Sequence, residues 1–472
     1  MSDPLPLGSD LAGMRVVVMG LGQFGGGVAA ASYLARHGAR VCVTDLRPAA
    51  QLSASCAALA DWPIEYVLGE HREADFAGAD IVVANPAVSP ANPLLRAARA
   101  ARARVTSEME LFLHGTQASL LMVSGTHGKS STVTFLHQLL KGWTRPVFLG
   151  GNLGRPLLDV PAAWHPESTC VVEISSYQLE ALDLDALPAK ARTVGLTALA
   201  PDHLERHGDM FGYLSAKARL FGLARQGACA WLPEAAYNEA PFARWRSELR
   251  PDLRWTAYGP SSPCHWDARG FVIDGSHLAC PSPWHLPGDF QRDNVLLALG
   301  MAMESGMPAE VAAQRLPALR GLPHRLQRLD LPGERVVFDN GVSTTPESTL
   351  AGLEAMPAGA VVLLGGQAKA GLAYAELARA LARRGDHVHV FGAAASDLAS
   401  VFASEGLEFL PHRDLASALA AAWQACHAGQ TLLFSPACAS FDAYPNFQAR
   451  ALEFVRGVED LAQATRSTNL GD

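Results

Sequence analysis

Residues 124–132 read SGTHGKSST. Glycines at 125 and 128, then Lys129 and Ser130, are the parts of a phosphate cradle. Backbone N–H groups at a helix start point at the anion, a lysine neutralises it, and a hydroxyl reaches a magnesium ion. The common nucleotide loop carries one more glycine, where this chain has Val123. The loop alone therefore leaves two readings, an ATP cradle of unusual spacing or a cluster of small residues.

Three further residues could serve such a loop. Glu173 ends the apolar run CVVE, at the carboxyl edge of an expected strand, where α/β sheets gather their ligands. A buried carboxylate there is costly unless paired or metal-bound. His203 follows the strand-like VGLTAL. Lys217 lies three residues after Leu214 and four before Phe221, on the apolar stripe of an expected helix. A lysine on that stripe is either held among apolar neighbours, which lowers its pKa, or snorkels to solvent. A second glycine-rich turn, GLGQFG, carries Gly20, Gly22 and Gly25, with Asp45 at the end of the next strand. That is the dinucleotide fingerprint, in which the carboxylate meets a ribose hydroxyl. Taken by itself it points to NAD or FAD.

The elements that must position these residues form three segments, which fits a length of 472 residues at roughly 150 per domain. Residues 1–108 begin with a βαβ unit: RVVVM, the glycine-rich turn, a helix through VAAASYLARHG, then VCVTD. Residues 109–321 carry the strand SLLMV into GTHGKSST, a helix TVTFLHQLLKG, and the strand-like TCVVEIS and ARTVGLTAL. GPSSPCHW within this segment reads as a surface loop. Residues 322–472 alternate RVVFD, AVVLLGG, HVHVFG and TLLFSPA with alanine-rich helical stretches such as YAELARALARRG. The fold class is α/β, with doubly wound, largely parallel sheets.

Composition narrows the function. Apolar residues make up 49% and the net charge is −8, which suits a soluble protein and argues against a nucleic-acid footprint. No secretory leader and no apolar run long enough to span a membrane is apparent. The eight cysteines include no CxxC pair, so neither a zinc site nor a disulfide framework is expected, and a reducing cytoplasm is the simplest setting.

GTHGKSST, EISSYQLE, DHLERHG with the AK of YLSAKARLF, GLPHR and SPACASFDAYPNF together resemble the Mur ligases of peptidoglycan synthesis, along nearly the whole chain. The resemblance is strongest to the branch that adds D-glutamate to UDP-N-acetylmuramoyl-L-alanine. Its loop pattern is GTxGK[ST], so Val123 is no defect. It implies a Rossmann-like N-terminal domain that holds the sugar nucleotide, a central ATPase sheet, and a C-terminal Rossmann-like domain that holds the amino acid. It also implies ATP-driven amide formation through an acyl phosphate, with two Mg²⁺ ions.

By the same resemblance, Gly125, Thr126, Gly128, Lys129, Ser130 and Ser131 hold ATP, together with Asn294, Arg325 and Asn340. Gly22, Asp45, Arg47, Asn85 and Asn152 meet the UDP-sugar, and Thr344, Lys369, Ser440 and Phe447 meet glutamate. Ser130 and Glu173 serve one metal; His203 and a carbamylated Lys217 serve the other. The chain departs from the pattern in three places. HNxxN becomes FQRDN, the acidic residue for the ATP ribose becomes Asn340, and a glutamate-binding lysine becomes Val342. Asn85 stands where a serine is usual. Cys438 and His324 read as packing or loop residues. The expected partners are small molecules only, with no nucleic acid and no membrane, and the expected state is a monomer in the cytoplasm. Rival readings are an NAD-dependent oxidoreductase, a ligase of the same fold for L-glutamate or another amino acid, and a non-catalytic nucleotide sensor.

Overall fold

The computed structural model describes residues 5–22, 25–282, 284–369, 371–372 and 374–469, so Gln23 and Phe24 of the glycine-rich turn lie outside the described residues. The chain divides into two compact units. The first holds Met1–Cys280 and Asp293–Leu316, and the second holds Pro281–Arg292 and Pro317–Asp472.

The first unit contains two parallel sheets. β1 (Arg15–Met19), β2 (Arg40–Asp45), β3 (Ile64–Leu68), β4 (Ile81–Ala84) and β5 (Arg104–Thr106) form one sheet in the order β3-β2-β1-β4-β5. The order reverses beside β1, and such a switch point opens a crevice at the carboxyl ends of the strands. β6 (Ser119–Ser124), β7 (Val147–Gly151), β8 (Thr169–Glu173), β9 (Ala191–Leu196), β10 (Ala224–Pro233) and β11 (Arg254–Tyr258) form the other sheet, in the order β11-β10-β9-β6-β8-β7. Both are parallel throughout. Their central strands are near-continuous Val, Leu and Met runs because helices cover both faces. One apolar core runs through both sheets, from Val16 and Val43 to Leu120 and Val194.

One feature departs from the sequence reading. The HW of GPSSPCHW is the start of β12 (His265–Asp267), which pairs antiparallel with β13 (Gly270–Ile273), itself antiparallel to β14 (Ser276–Ala279). The strands are too short and the turn residues too frequent for periodicity to reveal them.

In the second unit, β15 (Gln327–Arg328), β16 (Val336–Asp339), β17 (Val361–Gly365), β18 (His387–Phe391), β19 (Phe409–His412) and β20 (Thr431–Ala437) form one sheet in the order β15-β16-β20-β17-β18-β19. Only the two-residue β15 runs antiparallel. Apolar clusters lie on both faces.

Candidate functional site

The SGTHGKSST loop joins the end of β6 to the helix Lys129–Leu140, so the helix starts at the lysine itself. Two glycines are required by geometry. Gly125 has φ +142° and a Cβ there would overlap Thr197 Oγ1; Gly128 has φ +86° and a Cβ would overlap Asn294 Oδ1. Asn294 thus sits against the loop, and its Oδ1 accepts from Thr132 Oγ1 at 3.3 Å. Lys129 Nζ donates to Thr126 O at 2.8 Å, folding the side chain back over its own loop. Ser131 is buried, and Ser130 precedes it in the first helical turn.

Glu173 ends β8 with 1% exposure. Its Oε1 accepts from Asn152 Nδ2 at 2.9 Å, while Oε2 is buried with no hydrogen-bond partner. A buried carboxylate oxygen left unpaired is unfavourable unless a cation or donor completes it, so this donor set fits a magnesium ion. Asn152 is also tied to Glu173 through the backbone, its N–H donating to Glu173 O.

Lys217 lies on the helix Met210–Ala218 and is 1% exposed, which decides between the two sequence readings in favour of burial. Its Nζ donates to Gly125 O at 2.6 Å and stands 4.4 Å from the centre of the Tyr213 ring. Burial, with the nearby Lys129 charge, brings its pKa down to about 7, against the opposing pull of Asp202. Tyr213 links this group to His203, whose ring lies 6.4 Å away in an edge arrangement. His203 has φ +52° and begins the short helix Leu204–His207. Its ring is half-exposed between Asp202 and Glu205, with the Tyr177 hydroxyl 3.3 Å from Nδ1. Among the described residues no cluster of three or more His, Cys, Asp or Glu side chains gathers.

The other glycine-rich turn lies at the sheet switch point. Asp45 closes that turn: Oδ2 accepts from Leu21 N and Arg47 Nη2, and Oδ1 from Arg47 N and Nε. Burial alone would raise this carboxyl's pKa, but the hydrogen bonds from Arg47 and Leu21 outweigh it and hold the pKa below the usual range. All the acceptor positions of Asp45 are therefore engaged. Arg47 also reaches Gly22 O at 3.4 Å. Asn85 Oδ1 accepts from Ala87 N at 3.0 Å. A cavity of 680 Å³ is lined by Gly22, Asp45, Arg47 and Asn85 and also by Lys129, Asn152 and His203. His71 and Tyr177, which sequence reasoning passed over, also line it.

The remaining predicted residues belong to the second unit. Lys369 Nζ donates to Thr344 Oγ1 at 3.2 Å. Ser440 is buried beside Ala439, which bridges Gln367, and Phe447 opens the helix Phe447–Asn469. Of these four residues, Lys369 and Thr344 are in contact; Lys369 follows β17 and Ser440 follows β20. Asn340 is buried, accepting from Leu326 N and donating to Ser435 Oγ. Arg325 lies in the turn before β15, where its N–H meets Leu322 O. His324 lies in a loop, one of the two places the sequence allowed it, and there its Nδ1 is 2.6 Å from the fully buried Asp339 Oδ2. The two are fifteen residues apart in sequence, and only the β15–β16 pairing brings them together. Cys438 is buried, as expected of a packing residue, and burial pushes its thiol up to about 11.

Comparison with known proteins adds the family. The Mur ligase MurD-like N-terminal domain matches residues 14–107, and the Mur ligase middle domain matches residues 123–302. UDP-N-acetylmuramoylalanine--D-glutamate ligase of Roseiflexus sp. (strain RS-1) is 35% identical over 473 residues, covering 95% of this chain and 99% of that protein. The protein of that name from Anaeromyxobacter dehalogenans (strain 2CP-C) is also 35% identical, over 95% of this chain and 98% of its own. Among solved structures, the MurF ligase from Thermotoga maritima in complex with ADP shares the fold with a TM-score of 0.56 at 17% identity, covering 98% of this chain and 100% of that one. Two family domains matched in order, with relatives of this identity along nearly the whole chain, carry the conclusion: the chain belongs to the ATP-dependent Mur ligases, on their MurD-like branch.

Proposed function

We propose that this chain joins D-glutamate to UDP-N-acetylmuramoyl-L-alanine at the expense of ATP, in the cytoplasmic stage of peptidoglycan synthesis, and that it works as a monomer. The observation that carries the reading is the single cavity reaching from the Asp45–Arg47 turn to Lys129. A sugar nucleotide held at the switch point would present its far end to the ATP loop. The names of the relatives support the same substrate pair. The division of labour follows residues 1–108 for the UDP-sugar, 109–321 for ATP and 322–472 for the amino acid.

The chemistry begins with a carboxylate, a poor electrophile. An oxygen of the alanyl carboxylate attacks the γ-phosphorus, the O–P bond forms, and the bond to ADP breaks. The glutamate amine then attacks the acyl carbon, the C–N bond forms, and phosphate leaves with the C–O bond as the nitrogen loses its proton. Lys129 and the N–H groups of the loop neutralise the charge that builds between two approaching anions. When bound, Mg²⁺ adds further charge neutralisation on the phosphates. Ser130 and Glu173 are the groups that would hold one ion. His203 and a carbamate on Lys217 would hold the second. Asn152 orients Glu173 through its 2.9 Å hydrogen bond. Lys369 and Thr344 offer a cation and a hydroxyl for a glutamate carboxylate. Gly22, Asn85, Thr126, Ser131, Asn294, Arg325, Asn340, Ser440 and Phe447 complete the three binding sets assigned above.

The test is mass spectrometry of the product formed from UDP-N-acetylmuramoyl-L-alanine, ATP and Mg²⁺ with each glutamate enantiomer. The expected outcome is one amide product with D-glutamate and none with L-glutamate. Product with the L form only, or with neither, refutes the reading.

A further inference from the structure

His71 stands just beyond β3, half-buried, and lines the same cavity as Asn85 and Leu46. Its hydrogen bonds fix its tautomer. Thr44 is fully buried and carries a single hydroxyl proton, which it donates to Glu70 O at 3.0 Å. The same oxygen is 2.6 Å from His71 Nδ1. With its proton already spent, Thr44 Oγ1 can only accept, so Nδ1 carries the hydrogen. Nε2 of the neutral ring is then an acceptor. Burial lowers the pKa of His71, against the opposing charge of Asp45, and keeps the ring neutral near pH 7. The Phe76 ring meets it edge-on at 6.0 Å and holds its plane.

Asn85 supplies the opposite character. Its Oδ1 is turned to Ala87 N, and its Nδ2 lies over the glycine-rich turn, 2.7 Å from where a Cβ on Gly22 would stand. Asp45 contributes no free acceptor here, since all its positions are engaged. The crevice thus offers one ring-nitrogen acceptor and one amide donor. Uracil presents the complement, an N3–H donor beside carbonyl acceptors. Cytosine reverses the polarity at N3, which has no hydrogen.

We propose that His71 reads the pyrimidine base of the sugar nucleotide, accepting the uracil N3–H on Nε2 while Asn85 donates to a neighbouring carbonyl. This rests on the ligase reading, which makes the nucleotide a uridine diphosphate. Thr44 acts through His71 as a positioning residue, because it dictates which ring nitrogen holds the proton.

The test is calorimetric titration of the full chain with UDP, N3-methyl-UDP and CDP. The wild type is expected to prefer UDP over both analogues by about tenfold or more, since each leaves a buried polar group unpaired. His71→Ala is expected to weaken UDP by about tenfold and bring the three ligands within about threefold of one another, with ATP affinity unchanged. Thr44→Val, nearly isosteric, frees the tautomer without removing the ring and is expected to reduce the preference for UDP over N3-methyl-UDP. It decides the matter should His71→Ala fail to fold. A folded variant that keeps the wild-type ratio between UDP and N3-methyl-UDP overturns the assignment of His71 and leaves the ligase reading standing. A wild type that binds no UDP overturns both.

Discussion

Replacing Lys217 by alanine tests the most unusual part of the site. The side chain is 1% exposed, touches Gly125 O, and has a pKa of about 7. At pH 7 an ordinary lysine amine is neutral in roughly 0.03% of molecules, whereas one titrating near 7 is neutral in about half, a gain of more than about a thousandfold. Only the neutral amine attacks CO₂, forming an N–C bond and releasing a proton, so the buried environment is what makes a carbamate attainable. The carbamate turns a cation into an anion with two hard oxygens, which suits Mg²⁺. Lys217→Ala should therefore lose at least about 100-fold in acceptor-dependent phosphate release, the scale of removing one charge-stabilising group. It also leaves a hole lined by Tyr213 and the loop. Millimolar formate or acetate should partly refill that hole with the lost charge and restore activity. The assay is phosphate release against carboxylate concentration, with methylamine as control. An ordinary ion-pairing lysine predicts rescue by the amine and not by the acid. Rescue by methylamine alone, or a mutant with full activity, refutes the carbamate and leaves the ligase assignment intact.

Further predictions follow from the same geometry. Lys129→Ala should reduce acceptor-dependent phosphate release by at least about 100-fold, and near-normal turnover would remove the ATP-loop reading. Asp45→Ala should raise the Michaelis constant for the UDP-sugar and leave that for ATP nearly unchanged, because it releases Arg47 and the Leu21 turn; a fall in ATP affinity instead would mean the wrong nucleotide was assigned there. Gly128→Ala should abolish ATP binding measured by calorimetry while UDP still binds, since φ +86° and the overlap with Asn294 both exclude a side chain. In CO₂-free buffer the folded protein holds Lys217 at a pKa of about 7 while the unfolded chain returns it to 10.5, so the unfolded state binds more protons between those values. Stability should thus rise with pH across that window by up to about 1.4 kcal/mol per unit from this group, and Lys217→Met should flatten the slope in denaturant titrations.

The sequence by itself determined what is contiguous along the chain. A strand, a glycine loop, Lys129 and a helix follow one another within a few residues, so the strand–loop–helix was legible from spacing, and the motifs farther along the chain decided between its two readings. The same holds for the turn between β1 and the helix Gly26–Arg36, and for Glu173 at the end of β8, because local backbone geometry sets these positions. Tertiary structure decided what depends on neighbours distant in sequence. Lys217 sits on an apolar stripe in either reading, and only packing against Gly125 and Tyr213 shows that its amine is desolvated. Asp45 looked like a free ribose ligand, yet Arg47 and Leu21 occupy its oxygens. His71 gave no sequence signal, because its tautomer is fixed by Thr44 on the neighbouring strand. His324 met Asp339 only through strand pairing. Hydrogen-bond saturation and desolvation are properties of the packed environment, and no spacing rule along the chain encodes them.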